Sequence, residues 1–200
     1  MTLLVVPFHE GKSRLSQQRH VRRMLGLAML ADVLAACAPV GRTVLVTSDD
    51  EAARAAAGRG IELAQDPGGG QGPAVAAALA GREPEPTLVV NADVPCTVPH
   101  DLRALLAETP AGGLAVVEAL DGTTNALSLA SPSFFEPLYG PGSGERFLQH
   151  GRGIGVEVAA VGVPNLRDDV DRVEDLDRLK LRLGPRTQAA LLELEREPSL

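Results

Sequence analysis

The stretch TLVVNAD, Thr87 to Asp93, leads shortly into VPHDLRALLAE, Val98 to Glu108. The first run is apolar almost to its end and reads as a buried strand; the second has apolar residues at helical spacing. A buried strand feeding a helix is the unit of a parallel sheet with helices packed on it. Asp93 stands at the carboxyl end of that strand, where ligands gather in such sheets.

The same alternation extends in both directions. LLVVP (3–7), TVLVTS (43–48) and IELAQD (61–66) read as strands. VRRMLGLAMLADVLAACA (21–38), DDEAARAAAG (49–58) and AVAAALAG (74–81) read as the helices between them. After Asp93 the rhythm changes. GLAVVEA (113–119), ALSLA (126–130) and VEVAAVGVP (156–164) are further strands, with SGERFLQHG (143–151) a short helix. EDLDRLKLRLG (174–184) and TQAALLELERE (187–197) close the chain as helices. The pattern predicts an α/β fold, a mostly parallel sheet with helices on both faces, in one domain spanning residues 1–200.

Composition narrows the function. With 44% hydrophobic residues but only four Phe, one Tyr and no Trp, the core is built from Ala, Val and Leu. A net charge of −7 argues against nucleic acid as a partner. The charge is uneven, however. Residues 1–42 carry Lys12, Arg14, Arg19, Arg22, Arg23 and Arg42 against only Glu10 and Asp32. A basic first segment before an acidic body fits a small phosphorylated ligand whose charge is shared with metal ions. No apolar run reaches membrane-spanning length, and a cytoplasmic setting without membrane partners is expected. Cys37 and Cys96 match no metal-ligand spacing. The four histidines form no pair or triad and read as structural or solvent-exposed.

Several motifs are chemically suggestive and individually weak. Gly11-Lys12-Ser13 is the tail of a P-loop, but the glycine required at position 6 is Val6. Asp93 suits a hard cation, although a lone strand-end Asp is more often simply solvated. In RDDVDRVEDL (167–176), Asp169 and Asp171 lie two apart and point the same way if extended. Asp171 also opens a D-x-x-E pattern, so helix N-cap and metal ligand compete for it. The run Gly68-Gly69-Gly70 precedes a helix and permits close backbone approach to a ligand. Ser143, behind Gly140-Pro141-Gly142, stands just before a helix, either as a plain N-cap or beside N–H groups that hold an anion. Thr124 and Asn125 open a strand that reaches the same place.

In order, P-F-H-E-G-K-S-R-L, D-P-G-G-G, N-A-D-V-P, T-N-A-L, G-P-G-S and D-V-D-R-V-E-D-L cover nearly the whole chain. This set resembles the 2-phospho-L-lactate (or phosphoenolpyruvate) guanylyltransferase family of coenzyme F-420 biosynthesis, which is related to the molybdenum-cofactor guanylyltransferase. The resemblance implies a Rossmann-like, GT-A-like nucleotide-diphospho-sugar transferase fold. It implies transfer of GMP from GTP to phosphoenolpyruvate or 2-phospho-L-lactate, with release of pyrophosphate. By the same resemblance Lys12 and Arg14 meet the GTP phosphates, and Gly68, Gly69 and Gly70 lie near the nucleoside. Asp93, Asp169 and Asp171 hold Mg²⁺, with Mn²⁺ as an alternative, and Thr124, Gly140 and Ser143 bind the three-carbon acid. A homodimer is compatible with it. Gln71-Gly72 stands where the family has Leu-Asn, and Gly144 where it has a bulky residue. Two other readings stay open: a nucleotidyltransferase for molybdopterin or a sugar phosphate, and a non-catalytic GTP-binding domain of the same fold.

Overall fold

The computed structural model describes residues 1–9, 15 and 18–196. Lys12 and Arg14 lie outside the described residues. The chain runs β1 (Leu3–Pro7), α1 (Arg19–Cys37), β2 (Arg42–Thr47), α2 (Asp50–Ala56), β3 (Glu62–Gln65), α3 (Gln71–Leu79), β4 (Thr87–Val90) and α4 (Pro99–Glu108). It continues through β5 (Leu114–Glu118), β6 (Thr124–Leu129), α5 (Ser143–Gly153), β7 (Val158–Ala160), α6 (Pro164–Arg167), α7 (Val173–Leu179) and α8 (Pro185–Arg196). The strands form one mixed, mostly parallel sheet in the order β3-β2-β1-β4-β6-β5-β7. Only β6 is reversed, pairing antiparallel with both β4 and β5.

The continuous apolar runs are explained by burial on both faces. On one face Leu4, Val6, Leu45, Leu88 and Val90 pack against Leu30, Val33 and Leu34 of α1 and Leu102 and Leu105 of α4. On the other, Leu3, Val5, Val44, Val46 and Val89 meet Ala74, Val75 and Ala78 of α3, and Leu127 and Leu129 share that side with Phe147 of α5. The alternation within LLVVP thus divides one strand between two cores.

A third apolar cluster joins the outer side of α1, through Leu25 and Met29, to Leu176, Leu179, Leu183 and Ala190. Here Asp32 of α1 is 5% exposed and caps α8 from outside that helix. Its carboxylate accepts from the Arg186 N–H (3.0 Å), the Thr187 N–H (2.8 Å) and the Thr187 hydroxyl (2.7 Å). A Cβ at position 184 would lie 2.3 Å from Asp32 Cγ, so the tail needs Gly184 to bring the two helices together.

Four expected elements shift most: the strand expected over 87–93 ends at Val90. The helix expected from Ala74 begins at Gln71, which brings that side chain onto the helix. The strand expected over 156–164 shrinks to β7, and Pro164 opens α6. The helix expected over 174–184 ends at Leu179. Among the described residues no helix is long and apolar enough to cross a membrane.

Candidate active site

Strands β1 and β4 are parallel neighbours, and their onward connections leave in opposite directions, to β2 on one side and through α4 to β5 on the other. This switch point opens a crevice at the carboxyl ends of the two strands. An open cleft of about 180 Å³ occupies it. Pro7, Phe8 and His9 lie on the β1 side, Arg22, Arg23 and Met29 on α1, and Gln71, Asn91 and Asp93 opposite.

Asp93 sits three residues past the end of β4, in the turn that leads to α4. The main chain of the acidic segment docks onto it: the Val170 N–H donates to the Asp93 carbonyl at 2.9 Å. This brings Asp93, Asp169 and Asp171 together. Each is half-buried, and each offers a carboxylate oxygen within 4.8 Å of the others. Oxygen-only donors, all anionic, on two converging loops suit a hard divalent cation.

The remaining acids of the segment have other duties. Asp168 is held by Arg178 (2.8 Å) and Arg182 (2.5 Å). Burial alone would raise its pKa, but the two guanidinium groups outweigh that and hold the carboxylate below its usual range. Asp175 accepts the N–H groups of Asp171 (3.1 Å) and Arg172 (3.0 Å). Its pKa is also lowered, as these backbone bonds and Arg178 overcome burial. The helix N-cap is therefore Arg172, served by Asp175 at the third helical position. This corrects the capping alternative for Asp171, whose expected cap lay one residue too early; its carboxylate joins the cluster instead.

The first helix contributes Arg22 and Arg23 to the cleft. Arg23 is bonded to Asp49 (2.7 and 3.0 Å) and also to Glu51, which raises its pKa. Asp49 in turn caps α2, accepting from the Glu51 and Ala52 N–H groups at 2.9 Å each. The guanidinium is thus fixed against the start of α2.

On the opposite wall, Gly68, Gly69 and Gly70 have φ of 82°, 85° and 99°, a left-handed run that side chains resist. They deliver Gln71 to the cleft. Its Nε2 donates to Asn91 Oδ1 at 2.5 Å, and Asn91 Nδ2 donates to the Thr124 carbonyl at 3.1 Å. Gly72 is buried; a Cβ there would stand 2.8 Å from Pro137 Cβ. Gly72 therefore follows from close packing against the segment that leads to α5.

Thr124, Gly140 and Ser143 also lie together, with their donors facing inward. The Thr124 and Ser143 hydroxyls share a 2.9 Å bond and are both buried. The Ser143 N–H donates to the Gly140 carbonyl (3.0 Å), and the Gly144 N–H to the Gly122 carbonyl (3.3 Å). Ser143 is the first residue of α5, with Gly142 at the N-cap, so its expected capping role is also corrected. Gly144 leaves room for Glu118, whose side chain would lie 2.9 Å from a Cβ at that position. Asn125 does not reach outward either: its Nδ2 donates to the Arg167 carbonyl at 3.1 Å.

Burial pushes the Cys37 thiol up to about 12 and the Cys96 thiol up to about 11, so both are held as thiols. His9, read from sequence as unremarkable, lines the cleft, whereas His150 bonds the Phe134 carbonyl at 3.0 Å. His9 and Asn91 lie within the P-F-H-E-G-K-S-R-L and N-A-D-V-P motifs without being singled out there, whereas the cleft-lining roles of Arg22, Arg23 and Gln71 carry no local motif. Only their meeting in space reveals them.

Comparison with known proteins places this geometry. Residues 11–152 match the MobA-like NTP transferase domain. The chain is 36% identical over 206 residues to the phosphoenolpyruvate guanylyltransferase of Streptomyces scabiei, covering 95% of this chain and 94% of that one. It is 34% identical over 180 residues to the enzyme of the same name from Roseiflexus castenholzii, covering 86% and 84%. Its fold resembles that of a nucleotidyl transferase from Methanothermobacter thermautotroptrophicus, with a TM-score of 0.68 at 17% identity over 96% of this chain and 99% of that one. The chain belongs to the MobA-like NTP transferases and, within them, to the phosphoenolpyruvate guanylyltransferase family.

Proposed function

We propose that this chain, as a single nucleotidyltransferase domain, transfers GMP from GTP to the phosphate of phosphoenolpyruvate. 2-Phospho-L-lactate is the alternative acceptor, and the setting is cytoplasmic. A phosphate oxygen of the acceptor forms a bond to the α-phosphorus of GTP. The bond from that phosphorus to the β-phosphate bridge breaks, and pyrophosphate leaves with the electron pair. The acceptor phosphate is already ionised, so no side-chain nucleophile or general base is required.

The observation that carries this reading is the convergence of Asp93, Asp169 and Asp171 beside a cleft walled by Arg22 and Arg23. Asp93, Asp169 and Asp171 would hold a divalent ion, Mg²⁺ or Mn²⁺, which when bound would screen the charge of the two phosphates and act as a Lewis acid. Arg23, fixed by Asp49 and Glu51, provides positive potential that need not reorganise as charge moves toward pyrophosphate. Lys12 and Arg14, outside the described residues, are assigned to the same phosphates by the family resemblance of the K-S-R-L element. Phe8 and Met29 offer an apolar surface for the nucleoside, and the glycine run lets it approach the start of α3 closely. The acceptor is assigned to the side of Thr124, Gly140 and Ser143 by the family resemblance, and the Thr124 carbonyl there accepts from Asn91 Nδ2.

The test is pyrophosphate release from GTP and Mg²⁺ with each three-carbon acid in turn. Release that depends on phosphoenolpyruvate or 2-phospholactate is expected. Release with neither acid, by a folded protein, removes the proposal.

A further inference from the structure

The segment carrying Asp169 and Asp171 is tied down on both sides. Asp168 is gripped by Arg178 and Arg182, the Val170 N–H bonds Asp93, and the Asp171 N–H bonds Asp175. Its entry point is Arg167, the last residue of α6. A four-residue helix cannot hold itself, and its final carbonyls have no partner within the helix. The Arg167 carbonyl is met by Asn125, which is 1% exposed on β6.

The orientation of this amide is dictated from both ends. A backbone carbonyl only accepts, so the Asn125 group facing Arg167 is Nδ2 and its Oδ1 points back toward Asn91. Asn91 Nδ2 lies 3.4 Å from that oxygen and 3.1 Å from the Thr124 carbonyl, which fixes Asn91 in turn. Gln71 Nε2 completes the series at Asn91 Oδ1. Three amides aligned donor to acceptor thus run from the cleft wall, through the sheet, to the start of the acidic segment.

We propose that Asn125 is a positioning residue that sets the Asp169–Asp171 pair for metal binding, by holding the Arg167 carbonyl from within the sheet. The proposal rests on reading the three carboxylates as metal ligands. Partners that orient ligands without touching the metal typically govern about 10- to 100-fold in metal affinity.

The experiment is a titration of the full chain with Mn²⁺ alone, free Mn²⁺ being followed by electron paramagnetic resonance. Wild type is compared with Asn125→Leu, which keeps the heavy-atom count and the branch at Cγ but cannot donate, and Asn125→Ala. Ser128→Ala is the control, because Ser128 is equally buried on β6 but bonds Thr109 (2.7 Å) instead. Each protein is titrated below its own melting transition. The expected result is Mn²⁺ binding weakened about 10- to 100-fold in the Asn125 variants and unchanged in the control. Asn125→Ser, which keeps a shorter donor, is expected to fall between and serves if the other two do not fold. Wild-type affinity in the folded Asn125 variants overturns the proposal while leaving the carboxylate site intact. Equal weakening in Ser128→Ala overturns it too, because the effect then follows lost stability. No Mn²⁺ binding by wild type removes the metal site itself, and the proposal with it.

Discussion

Asp171→Asn keeps the shape of the side chain and removes one charge from a cluster whose carboxylate oxygens lie within 4.8 Å of one another. At that separation and an effective dielectric constant near 20, two unit charges repel by about 3.5 kcal/mol. Asp171 faces two such neighbours. Water reaches all three half-buried groups and nearby cations offset part of the repulsion, so the net relief is on the order of 1 kcal/mol. For a chain of this size that raises the melting temperature of the metal-free protein by about 2–4 °C. The same change removes a ligand. Wild type at an Mg²⁺ concentration about 100-fold above its Kd gains about 2.7 kcal/mol, and the variant should gain far less. Turnover of GTP should fall about 100-fold, as for loss of one charge contact to a transition state. Melts in EDTA and in Mg²⁺, with pyrophosphate release, read all three effects. A variant that melts below wild type in EDTA, or that gains as much from Mg²⁺, refutes the reasoning.

Gly72→Ala gains helix propensity but drives a Cβ to 2.8 Å from Pro137, and overpacking should win by about 1 kcal/mol in urea denaturation. Asp32→Ala leaves the Thr187 N–H and hydroxyl buried and unpaired, so it should cost about 3 kcal/mol while turnover measured below its melting point persists. Asp168 and Asp175 have folded pKa values below their ordinary 3.8. Their contribution to stability is therefore complete above that pH and lost as pH falls through the folded values. Melting temperature should drop on acidification below 3.8, and replacing both Arg178 and Arg182 with Ala should shallow the drop.

Legibility in the sequence followed the range of the interactions. TLVV and LLVVP announce buried strands because their environment is apolar on both faces, and that shows in consecutive letters. The reversal of β6 does not show: ALSLA reads as a strand whichever way it runs, and direction is set by pairing with β4 and β5. The three aspartates were legible as an ordered set of motifs, since two short loops carry them. The competing cap at Asp171 turned on one residue of helix start, which Asp175 decides by accepting two N–H groups. Ser143 looked like a cap because Ser before a helix usually is one; the neighbouring Thr124 hydroxyl, nineteen positions earlier in the chain, captured it instead. Asn91 and Asn125 lie in the N-A-D-V-P and T-N-A-L motifs, but their bonding with Gln71 in one amide series was not legible, since each bond joins distant parts of the chain.

The most direct test is a competition among acceptors. Phosphoenolpyruvate, 2-phospholactate and a sugar phosphate are supplied together at equal concentration with GTP and Mg²⁺, and products are identified by mass. The expected product is enolpyruvoyl-diphospho-guanosine, formed in step with pyrophosphate, with the lactyl adduct as the only competitor. GMP appearing on the sugar phosphate, or no guanosine adduct from a folded protein that binds Mn²⁺, would contradict guanylyl transfer to a three-carbon acid.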